Sequence, residues 1–265
     1  MRYDGAARRC KVDVDFAIKT PTEALQAALC DKDDKLCMAD LFPAPDVPRL
    51  SVEGGSGLFP IRRIFCVGRN YAAHAAEMGA EVERDAPFYF LKGHHSVVAS
   101  GGEVPFAPGT DAYHFEFELV VALGAPGFRV SKDSAEDLIF GYGAGLDMTR
   151  RDLQQANRKK GLPWDVGKDV EAACVLTPLV PDFTLASQRI SLTQNDEIRQ
   201  DATLSDLIWS VQEIIAHLST LYHLAPGDII MTGTPAGVGP VAPGDVLEGT
   251  IEGLPKLTAT MGPRP

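Results

Sequence analysis

Apolar and polar residues follow one another along this chain in two rhythms, a recurrent period of two and one long stretch with a period near 3.6. V-D-V-D-F-A-I, close to the N-terminus, alternates as a strand does. T-P-T-E-A-L-Q-A-A-L then opens like a capped helix with Pro21 near its first turn, and D-K-D-D-K is a solvated charge run. Phe42 to Pro60 is rich in Pro and Gly and predicts a connecting loop. Residues 1–60 are therefore expected as a small N-terminal appendage with its linker, and residues 61–265 as the main domain.

From Ile61 the pattern sharpens. I-R-R-I-F-C-V-G predicts a buried strand, and R-N-Y-A-A-H-A-A-E-M-G a short helix with Asn70 near its N-cap and Gly79 as its stop. P-F-Y-F-L-K is an aromatic strand ending at Lys92. H-F-E-F-E-L-V-V-A-L-G, from His114 to Gly124, predicts one continuous strand with Glu116 and Glu118 on the same face. In the next strand Gly141, Gly143 and Gly145 leave one side bare for another backbone or a ligand, and Asp147 follows on their parity. Thr149 and Asp152 stand in capping-box positions for a helix running through Gln154 to about Asn157. Residues 175–204 read as strands and turns with a hairpin at Asn195-Asp196, and Leu207 through Leu221 as the strongly periodic helix.

Composition narrows the function classes. The 36 acidic residues exceed the 25 basic ones, so no broad basic surface exists to neutralise phosphate backbones, and nucleic acid is not an expected partner. Every apolar run is too short or too interrupted to span a membrane. The 5 cysteines form no C-x-x-C pair, which fits a reducing compartment. The cytoplasm is expected; the three arginines among the first ten residues keep a mitochondrial presequence as the alternative.

The candidate chemistry is acidic. Glu116 and Glu118, about 6 to 7 Å apart along a strand, would repel unless water or a cation screened them. With Asp147 they form a hard, all-oxygen donor set suited to Mg²⁺ first, then Mn²⁺ or Ca²⁺, although a solvent-facing strand produces the same alternation. His74 and Glu77 share a helix face, where Glu77 can orient the imidazole so that it takes a proton from water; a solvated surface pair is the plain alternative. Lys168 near a developing oxyanion would neutralise it, and elsewhere would be one more surface lysine. His94-His95 and the Arg158-Lys159-Lys160 run are read as surface groups. The G-T-P-A-G-V-G loop lacks G-K-[ST] and is no P-loop, but its amides and Thr234 can meet a carboxylate.

Four motifs, G-R-N-Y-A-A-H-A-A-E, H-F-E-F-E-L-V-V-A-L-G, G-Y-G-A-G-L-D-M-T-R-R-D-L-Q and G-D-I-I-M-T-G-T-P-A-G-V-G, in this order from about Ile64 to Thr250, resemble the fumarylacetoacetate hydrolase family in its acylpyruvate and fumarylpyruvate hydrolase branch. The resemblance implies a mostly β (α+β) fold, a mixed β-sandwich roll with few helices, paired as a homodimer. It implies Mg²⁺ or Mn²⁺ on Glu116, Glu118 and Asp147, catalysis by His74, Glu77 and Lys168, and substrate oxygens held by Arg69, Lys92, Gln154 and Thr234. The implied reaction is hydrolysis of the carbon–carbon bond of a 2,4-dioxo acid, with fumarylpyruvate the first candidate. Oxaloacetate decarboxylation or 2-oxo acid tautomerisation on the same site is the alternative, and a binding homologue without turnover a second. The chain departs from the family pattern at Gly93-His94-His95, at Val170 and Glu171, at Asp196 and at Gln212, and the departures beside Lys168 leave the acyl group open.

Overall fold

The computed structural model describes residues 40–77 and 86–265. The strand and helix expected within residues 12–29, and the Gly79 stop, lie outside these described residues. Contacts divide the chain into two compact units, Met1–Asp46 and Val47–Pro265. The second unit carries the sheets.

Its centre is a seven-stranded mixed sheet in the order Phe88–Lys92, Arg63–Gly68, Asp228–Met231, Phe117–Leu123, Ile139–Asp147, Cys174–Leu176, Val97–Ala99. A five-stranded sheet, Glu197–Thr203, Arg189–Gln194, Val246–Ile251, Leu257–Met261 and Gly102–Val104, packs across one side of it. Alternation explains why. Leu119, Val121 and Leu123 join the cluster that contains Ile190, Leu192, Leu247 and Ile251, between the sheets, whereas Val120 and Ala122 face the other way, onto Ile64, Ile229 and Leu176. A strand buried on both faces must be apolar at nearly every position, and L-V-V-A-L is. The fold is thus mostly β with few helices, as expected, and the periodic helix is Val211–Leu221, opened by a Ser210–Glu213 capping box.

Three local expectations are corrected. Phe42–Pro60 is not all loop: Arg49–Ser51 pairs with Leu58–Pro60, burying Leu50 and Phe59. The strand from His114 to Gly124 is two strands, Tyr113–Phe115 in a small three-stranded sheet and Phe117–Leu123 in the large one, with Glu116 at the break. Thr149 and Asp152 form no capping box: the helix is Arg151–Lys159 with Arg150 at its N-cap, and Asp152 accepts instead from Thr110 Oγ1 (2.6 Å) and the Asp111 amide (3.1 Å). Of the two occupants expected at the bare glycine face, backbone is the one found: a Cβ would lie 2.8 Å from the Val180 carbonyl oxygen at Gly141, and at Gly143 3.1 Å from Thr177 Oγ1 and 3.3 Å from the Pro178 carbonyl oxygen. The Asn195-Asp196 hairpin forms with both residues at positive φ (53° and 67°), as a two-residue primed turn requires.

Candidate active site

The break at Glu116 creates the site. Phe117 pairs with Leu146 and Glu118 with Gly145, so Glu118 faces a residue without a side chain, while the Asp147 amide donates to the Glu116 carbonyl (2.8 Å). One oxygen from each of Glu116, Glu118 and Asp147 can be chosen so that all three lie within 4.8 Å of one another. All three are buried, Glu118 at 2 % exposure and Asp147 at 0 %, which rules out a solvated strand face.

Three cations surround the acids, but unevenly. Lys168 Nζ donates to Glu116 (2.5 Å), Asp147 (2.7 Å) and Thr149 Oγ1 (2.8 Å), and Arg151 pairs with Glu116. Lys92 Nζ lies 2.9 Å from Asp147 Oδ1, yet out of line for a hydrogen bond, so that buried oxygen has no aligned donor. Among the described residues Glu118 receives only the Gly233 amide (2.8 Å), which Gly233 presents from φ +104°. Electrostatics follow the donors. Burial pushes the Glu116 carboxyl up, but Lys168, Arg151 and His74 outweigh it and hold it well below the usual range. Burial, then Asp147 and Glu116, push the Glu118 carboxyl well above it. A buried, all-oxygen cluster with one carboxylate starved of donors and an orphaned lone pair fits a hard divalent cation held by Glu116, Glu118 and Asp147.

Above the acids lies a pocket walled by Arg69, His74, Phe90, Glu116, Glu118, Arg151, Gln154, Arg158, Trp164, Lys168 and Thr234 among others. His74 comes from the helix Ala72–Glu77, is 6 % exposed, and has Nδ1 3.3 Å from Glu77 Oε2; it is no solvated surface pair. Glu77 also accepts from the Gly237 amide (3.2 Å), tying that helix to the Thr234-Pro235 loop. Burial lowers the imidazole's pKa below 6.5 against the raising pull of Glu116 and Glu77, so the ring is neutral at pH 7. Asn70 is no N-cap. Fully buried, it takes the Trp209 amide (2.7 Å) and donates to the Trp209 (3.0 Å) and Thr232 (2.8 Å) carbonyls, locking the His74 helix against the Gly233 loop.

Two predicted contacts change role. Lys92 lies off the pocket wall, its ammonium turned to the carbonyls of Lys168 and Met148 and to Asp147. Burial pulls its pKa down, but Asp147 outweighs this and the net shift is upward, so Lys92 stands as a fixed charge behind Asp147. Thr234 spends its only hydroxyl proton on the Phe117 carbonyl (2.9 Å) and accepts from Gln200 (2.8 Å), leaving none for a ligand. Gln154 Oε1 accepts from Arg151 (3.2 Å), which leaves its amide N–H groups to the pocket. Lys168 is 2 % exposed, not a surface lysine, and sits 4.8 Å over the Phe90 ring.

Sequence pattern singles out neither Arg151 nor Trp164, and it places Arg158 among surface groups, which the pocket wall corrects. Arg151, Gln154 and Arg158 stand at i, i+3 and i+7 of one helix and so share a face; that spacing was the available signal. Arg158 belongs to the pocket wall, while Lys159 and Lys160 are exposed as expected. His94 and His95 lie in a 3₁₀ turn and are exposed; His95 faces Asp169 (3.2 Å), which also accepts from the Gly93 amide (2.7 Å). The departure at Gly93-His94-His95 is thereby tied to Asp169, the residue that follows Lys168. Val170 is buried in the core and does not line the pocket.

The family model "Fumarylacetoacetate (FAA) hydrolase C-terminal" matches residues 63–261. Fumarylpyruvate hydrolase of Ralstonia sp is 50% identical over 190 residues, covering 70% of this chain and 99% of that protein. Human mitochondrial oxaloacetate tautomerase FAHD1 is 39% identical over 200 residues, covering 74% and 90%. Among solved structures, fumarylpyruvate hydrolase from Pseudomonas aeruginosa in complex with Mn²⁺ and pyruvate superposes with TM-score 0.82 at 42% identity, covering 85% of this chain and all of that one.

Proposed function

The chain belongs to the fumarylacetoacetate hydrolase family, and from that premise we propose that it is a divalent-metal-dependent hydrolase that cleaves an acylpyruvate, fumarylpyruvate first, into pyruvate and a carboxylic acid. The observation that carries this reading is one pocket holding both a trio of buried carboxylates, of which Glu118 is starved of donors, and a neutral, carboxylate-oriented histidine. Glu116, Glu118 and Asp147 would hold the ion, and a bound divalent ion supplies Lewis acidity toward the 2-oxo acid. Mg²⁺ is our choice of resident ion, because few carboxylates and an open pocket suit an ion that keeps positions for water and substrate.

His74, with Glu77 on Nδ1, leaves Nε2 to take a proton from the attacking water. Hydroxide adds to the acyl carbonyl, the bond between that carbon and the methylene breaks, and its electron pair leaves as pyruvate enolate. The methylene carbon then takes a proton, giving pyruvate and RCOO⁻. Lys168, fixed by three hydrogen bonds, contributes positive charge beside the enolate oxygen, and the free amide N–H of Gln154 can donate to it.

Finer points complete the proposal. The catalytic part follows an N-terminal appendage to which we assign no chemistry. A homodimer is supported by the edge strand Phe88–Lys92, where Phe88 and Leu91 are exposed and share a groove with Trp164 and Tyr222. A cytoplasmic location is supported by two buried free thiols, Cys66 and Cys174. No helix among the described residues is long and apolar enough to cross a membrane.

The test is direct: purified protein with Mg²⁺ or Mn²⁺ is given fumarylpyruvate, and fumarate and pyruvate are quantified with and without EDTA. Metal-dependent release of both supports the reading. Failure to cleave any acylpyruvate, with oxaloacetate tautomerised or decarboxylated instead, would replace it by the second reading, which the 39% identical human tautomerase motivates.

A further inference from the structure

Arg151 holds two members of the pocket at once. One terminal nitrogen of its guanidinium pairs with Glu116, and the other donates to Gln154 Oε1 (3.2 Å). Its third donor, the Nε–H, is buried and meets no acceptor among the described residues. Such a donor is costly to leave unpaired, and a planar fork held at two points can still rock about the line that joins them.

A matching acceptor stands on the neighbouring strand. His114 Nδ1 is likewise buried and without a partner among the described residues. Register brings the two side chains to one face. His114 pairs with Thr149 and Tyr113 with Arg150, and the Arg151 amide donates to the Ala112 carbonyl (2.8 Å), so the antiparallel ladder runs one residue past the strand. Arg151 is then the diagonal neighbour of His114, on the face that Thr149 shares, at a Cβ separation of roughly 7 Å that an aromatic ring and a long side chain can bridge. Of all charges, that of Arg151 bears most strongly on the imidazole, and that of Glu116 comes next. On its other side His114 pairs with Pro240, whose side chain offers no polar atom.

Resting on the metal site proposed above, we propose that His114 is a positioning residue for it. Its Nδ1 accepts the Arg151 Nε–H and, as the third point of support, holds the guanidinium at the angle that aims Glu116 at the ion and turns the Gln154 amide toward the pocket. The ring then carries its own proton on Nε2.

Two measurements test this. The first needs no metal: the Arg151 Nε–H resonance, assigned by its disappearance in Arg151→Lys, should exchange slowly with water in the wild-type chain. His114→Phe keeps a planar ring and removes the acceptor, and should speed that exchange by about tenfold, the worth of one hydrogen bond. His114→Asn, whose amide oxygen can stand close to where Nδ1 does, should restore most of the protection. The second is Mn²⁺ affinity by calorimetry, expected to weaken about tenfold in His114→Phe and to recover in His114→Asn, the low end for a supporting hydrogen bond because it acts through a second residue. Should His114→Phe not fold, His114→Leu takes its place. Unmoved exchange or unmoved affinity in the acceptor-free variant, or an Asn variant no better than it, overturns the proposal. The outcome is separable from the parent reading: a chain that binds no divalent ion, yet loses Nε–H protection with Phe and regains it with Asn, refutes the metal site and retains the hold of His114 on Arg151.

Discussion

Two places in this molecule bury carboxylates against cations, and they are built in opposite ways. Asp228, fully buried at the start of its strand, accepts from Arg62 (3.1 Å), twice from Arg63 (2.9 and 2.7 Å) and from the Ala225 amide (2.9 Å). Every lone pair has a partner. At the pocket floor three acids and three cations also balance in formal charge, yet the donors crowd onto Glu116 and Asp147, leaving Glu118 with one amide and Asp147 Oδ1 with no aligned donor. Equal charge does not mean equal satisfaction. The closed account at Asp228 is structural; the open one is where something else has to bind.

Substitution should separate them, and the largest effect is expected at the open site. Glu118→Gln removes a proposed metal ligand along with a charge that burial already disfavours. Metal-supported turnover should fall to background, while the melting temperature of the metal-free protein stays level or rises. Retained turnover would refute the assignment. Next comes His74→Ala, expected to cost ~10²–10⁴ in kcat, the usual worth of a general base, with metal affinity by calorimetry unchanged. In the parent protein the same base must be neutral to act, and its pKa lies below 6.5, so kcat/KM should hold as pH falls to that value and decline only beneath it. A decline centred above 6.5 would point to another group. Asp228→Ala reverses the pattern. Losing the hydrogen bonds to Arg62, Arg63 and the Ala225 amide should cost ~1–3 kcal/mol in denaturant unfolding, since both arginines reach solvent, with metal affinity intact.

The contrast also explains what the sequence could and could not tell. Glu116, Glu118, Asp147, His74 and Glu77 were legible as candidates because a hard-ion donor set and an i, i+3 acid–base pair are patterns of residue type and spacing, whereas Lys168 stood out only through the family resemblance. Their neighbourhood was less so. Lys92 and Thr234 stand in the right segments, but their protons are spent on backbone carbonyls, and no local pattern records where a donor's hydrogens go. The break at Glu116 was hidden for a related reason. F-E-F-E-L alternates without interruption, and only pairing with two different sheets, Tyr113–Phe115 to one and Phe117–Leu123 to the other, divides it. The Asp228 clamp joins residues more than 160 positions apart and left no local trace.

Gln200 offers the finest test, because it links the two kinds of order. It sits on Glu197–Thr203, an edge of the five-stranded sheet, and is fully buried. Its Oε1 accepts from the amide of Phe117 (3.1 Å), the residue between the two glutamates, while its Nε2 donates to Thr234 Oγ1 and the Pro235 carbonyl (both 2.8 Å). As in the Asp228 clamp, its hydrogen bonds reach well-defined partners far along the chain, but what they hold is the open site: the break that aims Glu116 and the loop whose Gly233 amide meets Glu118. Gln200→Leu keeps the volume and removes the bonds. If Gln200 serves only packing, the variant loses stability and nothing else. If it positions the ligands, metal affinity should weaken by ~10–100-fold, the usual cost of losing a supporting hydrogen bond, with KM and kcat shifting together in saturating metal. Gln200→Glu tells the two apart, since its carboxyl can still accept from the Phe117 amide but cannot donate to Thr234 unless protonated, so partial recovery of metal affinity toward acid pH would trace the effect to that bond.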